Sequence, residues 1–522
     1  MLGIGGVGCQ PGNERESGDQ QNEQRSGTER VEKKLSGREL ARAHCQSCHA
    51  FPEPELLNKN TWKDVVLPRM GRRMGIYEGG ERPDSLFEEG IAGTLVREAN
   101  IFPKEPVLPQ AEWEKIVDYF VDAAPDTLAA PPPHPRIATG LDQFRVRRSP
   151  FRTTPPTTTL VEADARGLSY VGDAKGLLTI LDDRQQEEFT MDISGTPAAV
   201  APVGDRFLVT LMGSVAPTDK PTGRLLELAL RLRTKQYKYA TVIDSLHRPV
   251  HTVPADLNGD GQRDFVVSEF GYHVGHLAWY EGRGQGRFER HILRDEPGAI
   301  RSVVRDVNGD GRPDVMALFS QGNEGIYVFY NEGDGQFRET QVLQFPPSYG
   351  STSFELVDFN GDGALDLLYT AGDNADYRPV MKPYHGIRIF LNDGENGFRQ
   401  EYFFPLNGAY GATADDFDGD GDVDIAAISF FPDYAENSKE SFVYLENTGD
   451  LSFAPTTFNN SDMGRWLTLS SGDVDGDGDS DLLLGSFSAL QLGTSYVPES
   501  TANRWTQEGP SVVVLENTMV SE

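Results

Sequence analysis

Asp256-Leu257-Asn258-Gly259-Asp260-Gly261-Gln262-Arg263-Asp264 is a stretch that this 522-residue chain repeats. Related nonapeptides run from Asp306 to Asp314, Asp358 to Asp366, Asp416 to Asp424 and Asp473 to Asp481. Their starts lie 50, 52, 58 and 57 residues apart. A period of that length signals a propeller or solenoid array. A strand precedes each acidic loop and another follows it, as in Phe265-Val266-Val267, Val315-Met316-Ala317-Leu318 and Leu367-Leu368-Tyr369. A variable loop, a third strand, a Gly-rich turn and a Phe-led fourth strand complete the unit, as at Gly286-Arg287-Phe288 and Gly335-Gln336-Phe337. Four short strands per unit make one propeller blade.

Two earlier units keep the strands without the acidic loop. One contains Thr158-Thr159-Leu160-Val161, Leu168-Ser169-Tyr170-Val171 and Leu177-Leu178-Thr179-Ile180-Leu181; the next runs from Ala198 to about Leu246. Two plus five gives seven blades. The last unit stops after its third strand, Val512-Val513-Val514-Leu515-Glu516-Asn517. Asp142-Gln143-Phe144-Arg145-Val146-Arg147-Arg148 carries the pattern of the fourth strands Gln336-Phe337-Arg338-Glu339 and Gly397-Phe398-Arg399-Gln400. Residues 142–149 are therefore expected to complete the last blade and remove two open sheet edges.

The acidic loops have the composition of a cation site. Oxygen-bearing side chains at positions 1, 3, 5 and 9, with Gly at 4 and 6 for the tight turn, can wrap one hard cation, and the carbonyl of position 7 can complete the shell. In the first loop these positions are Asp256, Asn258, Asp260, Gln262 and Asp264. The others supply Asp306, Asn308, Asp310, Arg312 and Asp314; Asp358, Asn360, Asp362, Ala364 and Asp366; Asp416, Asp418, Asp420, Asp422 and Asp424; and Asp473, Asp475, Asp477, Asp479 and Asp481. Ca²⁺ fits better than Mg²⁺, which keeps its waters, so about five Ca²⁺ are expected. The alternative is an acidic turn without metal, in which the carboxylates would repel one another strongly. The loops resemble those of FG-GAP/VCBS repeats, as in integrin-type propellers. The resemblance covers about residues 155–520 and implies structural calcium rather than catalysis.

A second motif lies far upstream: Cys45-Gln46-Ser47-Cys48-His49. Two thiols at this spacing can add across the vinyl groups of one haem, and the His that follows can ligate its iron. Half a zinc site would want a second Cys/His pair nearby, and a thioredoxin-like pair a strand–helix setting. Here the context is helical on both sides. Residues 37–44 read as a short helix, and Gln110 to Phe120 places Trp113, Ile116, Val117 and Phe120 on one helical face. With its closing aromatic helix, this part resembles a small class I cytochrome c domain over about residues 36–126. That resemblance implies one covalent haem c on Cys45, Cys48 and His49. Leu67-Pro68-Arg69-Met70 is similar to haem domains fused to repeat proteins in aquatic bacteria, which implies Met70 as sixth ligand, with Met74 the alternative. Ordinary core packing is the other reading of either Met, and His44 is read as structural.

The expected architecture is therefore multidomain: a signal remnant and disordered tether at 1–35, a small all-α cytochrome c-like domain at 36–128, a Pro-rich linker at 129–141 and an all-β seven-bladed propeller at 142–522. Ala129-Ala130-Pro131-Pro132-Pro133-His134-Pro135 reads as a stiff spacer with an exposed His134. The 48 basic and 80 acidic residues give a formal charge of −32, which excludes nucleic acid and anionic lipid as partners. No apolar run approaches a membrane span. The third cysteine, Cys9, ends a stretch like the tail of a lipoprotein signal, so a lipid anchor there is weighed against a dispensable thiol. Covalent haem implies an extracytoplasmic location, periplasm or cell surface.

Loops opposite the acidic face, and residues entering the innermost strands, suggest a ligand face of Arg248, His251, His273, Arg301 and Arg465, where Arg and His could hold an anion. Solvated loops and inter-blade hydrogen bonds are the plainer reading. Three functions follow. The first is an exported haem electron-transfer protein whose calcium-stabilised propeller binds a redox partner protein or a small ligand, expected as a monomer. The second is a periplasmic dehydrogenase with the haem as electron acceptor. The third is an adhesion or glycan-binding propeller.

Overall fold

The computed structural model describes residues 34–164, 166–204, 206–374, 380–489 and 497–519. Cys9 and nearly all of the tether lie outside them. Seven four-stranded antiparallel sheets follow one another along the chain. Blade 1 spans Thr158–Asp164 to Glu187–Asp192, blade 2 Pro197–Val203 to Gln236–Leu246 and blade 3 Pro249–Ala255 to Phe288–Arg294. Blade 4 spans Ala299–Arg305 to Gln336–Gln344, blade 5 Ser351–Val357 to Phe398–Pro405 and blade 6 Ala409–Asp415 to Phe453–Thr457. The first strands of successive blades touch one another all the way round, closing a ring. The chain forms a seven-bladed all-β propeller.

The packing follows from the strand sequences. The second strands of blades 3 to 7, such as Asp314–Phe319 and Asp424–Ser429, are buried along their whole length. They are apolar without alternation because blades cover both of their faces. Each core lies between neighbouring blades. Leu257, Val266 and Trp279 of blade 3, for example, pack on Ala299, Val315 and Phe329 of blade 4. Outer strands such as Phe288–Arg294 are largely open to solvent.

Blade 7 is built from both ends of the propeller sequence. Trp466–Gly472, Asp481–Ser486 and Val512–Asn517 are joined by Phe144–Arg148, which pairs antiparallel with Val512–Asn517 from Phe144↔Asn517 to Arg148↔Val513. Phe144 is buried in the core between blades 6 and 7, against Phe417 and Tyr444. Arg145 and Arg147 both pair with Glu516. The linker is also held. Ala138–Thr139 adds a parallel strand to blade 6, and Ile137 joins the core between blades 5 and 6. His134 is not exposed as its proline-rich context suggested: its ring packs on Phe404 and lies 3.9 Å from Glu440.

In every blade the pairing of strands 1 and 2 is interrupted near the start of strand 1, as at Ser351/Ser353, Ala409/Gly411 and Trp466/Thr468. A bulge of this kind bends the strand and re-aims the extra residue.

Upstream of the propeller the chain is helical. Gly37–Cys45 starts from a Ser36/Glu39 capping box. It crosses Gln110–Ala123 so closely that a Cβ on Gly37 would lie 2.2 Å from the Lys115 carbonyl oxygen. Residues Lys59 to Arg73 form one helical run whose middle turn, Trp62–Val66, is widened to π geometry just before Pro68. The widened turn accommodates the missing proline N–H. Leu40, Trp62, Leu67, Trp113, Ile116 and Phe120 form the core of this unit.

Removing the ring of the closing strand tests its weight. Phe144→Ala should cost about 3–5 kcal/mol and lower the unfolding midpoint of the propeller. An unchanged midpoint would mean that the strand does not fasten the ring.

Candidate functional site

The motif Cys45–His49 sits where the first helix ends. Cys45 and Cys48 are not joined to each other. Burial, reinforced by Cys48, pushes the Cys45 thiol up to about 11. A reactive redox pair or a zinc thiolate needs the opposite, a lowered pKa, so both of those readings lose ground. His49 Nδ1 lies 2.8 Å from the Ala50 carbonyl. That contact places the ring proton on Nδ1 and leaves Nε2 as the acceptor. Burial holds the imidazole below its ordinary value despite the Ala50 contact, which keeps it in the neutral, ligating form. Met70 and Met74 both lie half-buried on the same helical core as Cys45 and Phe51. Two thiols and a tautomer-fixed imidazole at the edge of an apolar core are a donor set that fits a haem.

This helical unit rests on the propeller. Glu88 accepts hydrogen bonds from Thr218 Oγ1 at 2.9 Å and from the Asp219 backbone N–H at 3.1 Å. Phe102 meets the edge of the His273 ring at 5.2 Å, and Tyr384 donates its hydroxyl to the Leu56 carbonyl at 2.8 Å. Arg73 has Tyr272, Cys48 and Asp219 as electrostatic neighbours. The propeller contributes the loops between strands 2 and 3 of blades 2, 3 and 5, on the face opposite the acidic loops.

The acidic loops repeat one geometry. In the first, the Gly259 and Gly261 φ angles are 71° and 78°, the left-handed turns that glycine permits. Asp256 accepts the Gly261 N–H at 3.0 Å. The ninth residue is the anchor: Asp264 Oδ2 accepts the Leu257 N–H and Oδ1 accepts Gly282 N–H from strand 3. Asp314, Asp366, Asp424 and Asp481 repeat this bond pair to their own blades. All five are fully buried. Carboxylate oxygens of Asp416, Asp418 and Asp420, and of Asp473, Asp475 and Asp477, lie within 4.8 Å of one another. Oxygen donors so placed fit a hard cation. In the second loop the Arg312 guanidinium bonds Asp310, so there the seventh residue offers its carbonyl while its side chain partly neutralises the loop.

The five residues of the expected ligand face occupy three separate places. Arg248 donates to the carbonyls of Ser214, Val215 and Gly271. Arg465 is 1% exposed, lies 3.8 Å from the Phe430 ring centroid and donates to the Phe430 carbonyl. Both lie at the channel mouth, beside a packed cluster of Phe430, Phe431, Phe487, Tyr410, Val215 and Leu467. Tyr410 and Leu467 are the residues displaced by the bulges of blades 6 and 7. His251 and Arg301 lie inside the channel. Arg301 pairs with Glu355 at 3.5 Å, and His251 is pushed to about 3 by burial and by Arg301. His273 belongs to the contact with the helical unit, where its Nδ1 lies 2.9 Å from buried Asp219. Sequence reasoning missed Glu162 and Glu355. Burial raises Glu162 to about 7, opposed by Arg301 and reinforced by Glu355. A channel layer with two carboxyls and one guanidinium differs from a ring of free cations.

Comparison with known proteins bears on the repeats. A family model described as an FG-GAP-like repeat matches residues 256–317, 306–369 and 416–484. The chain carries FG-GAP-like repeats on a seven-bladed propeller. A curated relative, the T-cell immunomodulatory protein homolog of Plasmodium falciparum (isolate 3D7), is 26% identical over 167 residues, 28% of this chain and 22% of that protein. Among solved structures, Saccharomyces cerevisiae Sqt1 aligns with a TM-score of 0.42 at 10% identity, covering 70% of this chain and 97% of that one. An ancestral GH74 enzyme aligns with a TM-score of 0.46 at 11% identity, covering 71% and 49%.

Burial raises the carboxyls of Asp424 and Asp481 to about 6, and burial with Asp477 raises Asp479 to about 7. Each group holds its proton more tightly folded than unfolded, so without metal the propeller should lose stability as pH rises from about 4 to about 7. A bound cation would reverse that trend by favouring the ionised form. Thermal midpoints in a chelator should therefore fall by several degrees between about pH 5 and about pH 7.5, and Ca²⁺ should abolish the fall. Equal midpoints with and without Ca²⁺ would remove the metal from the loops.

Proposed function

We propose that the chain is an exported c-type haem electron-transfer protein in which a calcium-stiffened propeller carries the haem unit and receives a partner. The observation that carries this reading is the Cys45–His49 geometry: two thiols not joined in a disulfide and an imidazole whose Nδ1 contact leaves Nε2 for iron. Cys45 and Cys48 would hold the haem through two thioether links, and His49 with Met70 or Met74 would supply its iron ligands. The haem would supply reversible one-electron chemistry at its iron. The helical core would shield it from water, and the seat on the propeller would hold the helical unit in one orientation. The side-chain oxygens at positions 1, 3, 5 and 9 of the five loops, aspartates except for Asn258, Asn308 and Asn360 at position 3, would hold Ca²⁺.

The dehydrogenase reading needs a substrate cavity on the propeller. The bonded Arg248 and Arg465 give it less support than the carrier reading. Export follows from covalent haem, with a lipid anchor at Cys9 as the proposed tether. The adhesion reading rests on the repeat family alone and leaves the Cys45–His49 geometry without a role.

Protein matured with haem should retain it after denaturation, and Cys45→Ala with Cys48→Ala should release it. Met70→Ala should convert the low-spin spectrum; an unchanged spectrum moves the ligand to Met74. Rapid reduction of the haem by a sugar, alcohol or organic acid alone would overturn the carrier reading in favour of the dehydrogenase. A matured protein without covalent haem would end both.

A further inference from the structure

Gln236–Leu246, the outer strand of blade 2, is longer than the outer strand of any other blade, and among the described residues no strand pairs with its outer edge. From Gln236 to Thr241 it runs in unbroken one-to-one register with Arg231 to Leu226 of strand 3, before two irregularities interrupt the pairing. On its open side this stretch presents backbone N–H and C=O groups without a partner strand, which is a template for a further one. Blade 6 shows that the ring accepts such an addition. There Ala138–Thr139 lies as a fifth strand along the outer strand Phe453–Thr457.

The side chains along this edge select what can be added. Arg231, Arg233, Lys235 and Lys238 lie at the end of strand 3, in the turn and at the start of the outer strand, and all four are exposed. None has an ion-pair partner among the described residues. Nearby Glu227 is taken by Arg206 and Arg263, and the next carboxylate along the chain is Asp244. Four unpaired cations in a chain of formal charge −32 are complementary to an acidic partner. Lysines on an open edge also oppose pairing with a like strand. Successive side chains point to opposite faces. Lys238 shares one face with Gln236 and Ala240, while Tyr237 and Tyr239 share the other, stacked 6.2 Å apart and 37% and 39% exposed. The Phe189 ring of blade 1 meets Tyr237 at 5.6 Å and steadies this platform. An added strand meets the lysine with every second residue and the two rings with the residues between. Carboxylates suit the first set of positions and apolar side chains the second.

We propose that the Gln236–Thr241 edge of blade 2 docks an extended acidic segment of a partner protein, whose backbone adds a fifth strand to the blade. Its carboxylates face Lys238 and the cationic turn, and the apolar side chains between them cover Tyr237 and Tyr239. The surface is built from blade 2 and its contact with blade 1, so it stands whether or not the helical unit carries a haem.

The test uses the full chain loaded with Ca²⁺ and a fluorescein-labelled octapeptide that alternates glutamate with valine, followed by fluorescence anisotropy. Binding should saturate, weaken as salt is raised and fall at least about tenfold when Lys235→Glu and Lys238→Glu are combined. Tyr237→Ser with Tyr239→Ser should weaken it as well; if one of these chains misfolds, the other decides. Two further peptides, N-methylated on one or the other alternate set of backbone amides, separate strand addition from charge alone. At least one of them should lose binding. Affinity equal to the parent peptide in both overturns the added strand, and affinity unchanged in the folded variants overturns the site. Absence of saturable binding by the parent peptide overturns the proposal outright. Self-association of the unaltered chain in sedimentation velocity, abolished by the two lysine substitutions, assigns the edge to a second copy and overturns it too.

Discussion

A buried aspartate with two backbone partners holds each of blades 3 to 7 together at its acidic edge. Asp264, Asp314, Asp366, Asp424 and Asp481 each grip the second residue of their own loop with one oxygen and the third strand of their blade with the other. A carboxylate in that position is costly to bury and is tolerated because its acceptor capacity is used. The same residue thereby sets the loop conformation in which, in blades 6 and 7, the carboxylates of positions 1, 3 and 5 converge. Blade geometry and loop geometry are therefore two outcomes of one side chain.

The helical unit depends on a different device. Its first and last helices approach at Gly37 to a distance that excludes any side chain there, and the Trp62, Trp113 and Phe120 core fills the space behind Cys45. The unit then contacts the propeller through a few polar bonds and one aromatic edge. Such a seat is light, because hydrogen bonds of this kind contribute only about 1 kcal/mol each.

The propeller was legible because its information is local and repeated. The Asp/Gly loops mark the period, the apolar second strands mark the blade interiors, and Gly-Gln-Phe-type turns mark the outer strands. The contents of the channel were not legible. Glu162, Arg301 and Glu355 come together only after blades 1, 4 and 5 are arranged around an axis. The bulges that turn Tyr410 and Leu467 into the mouth carry no composition signal. Arg465 reads in sequence as an exposed cation, yet it lies under an aromatic ring. Glu88 and Thr218, 130 residues apart, look like ordinary surface residues until the two units meet. Sequence periodicity reports neighbours within a blade, whereas tertiary closure decides what crosses it.

The strand Phe144–Arg148 gives the molecule a temporal order as well as a shape. Its pairing joins residues as far apart as Arg145 and Glu516, separated by 371 positions. A contact of that sequence separation forms late, because a long loop must be closed before it contributes. On an emerging chain the helical unit is complete long before Val512–Asn517 exists, while residues 142–149 wait as an unpaired edge. The Cys45–His49 motif thus emerges, with the helices around it, before the ring it will rest on can close.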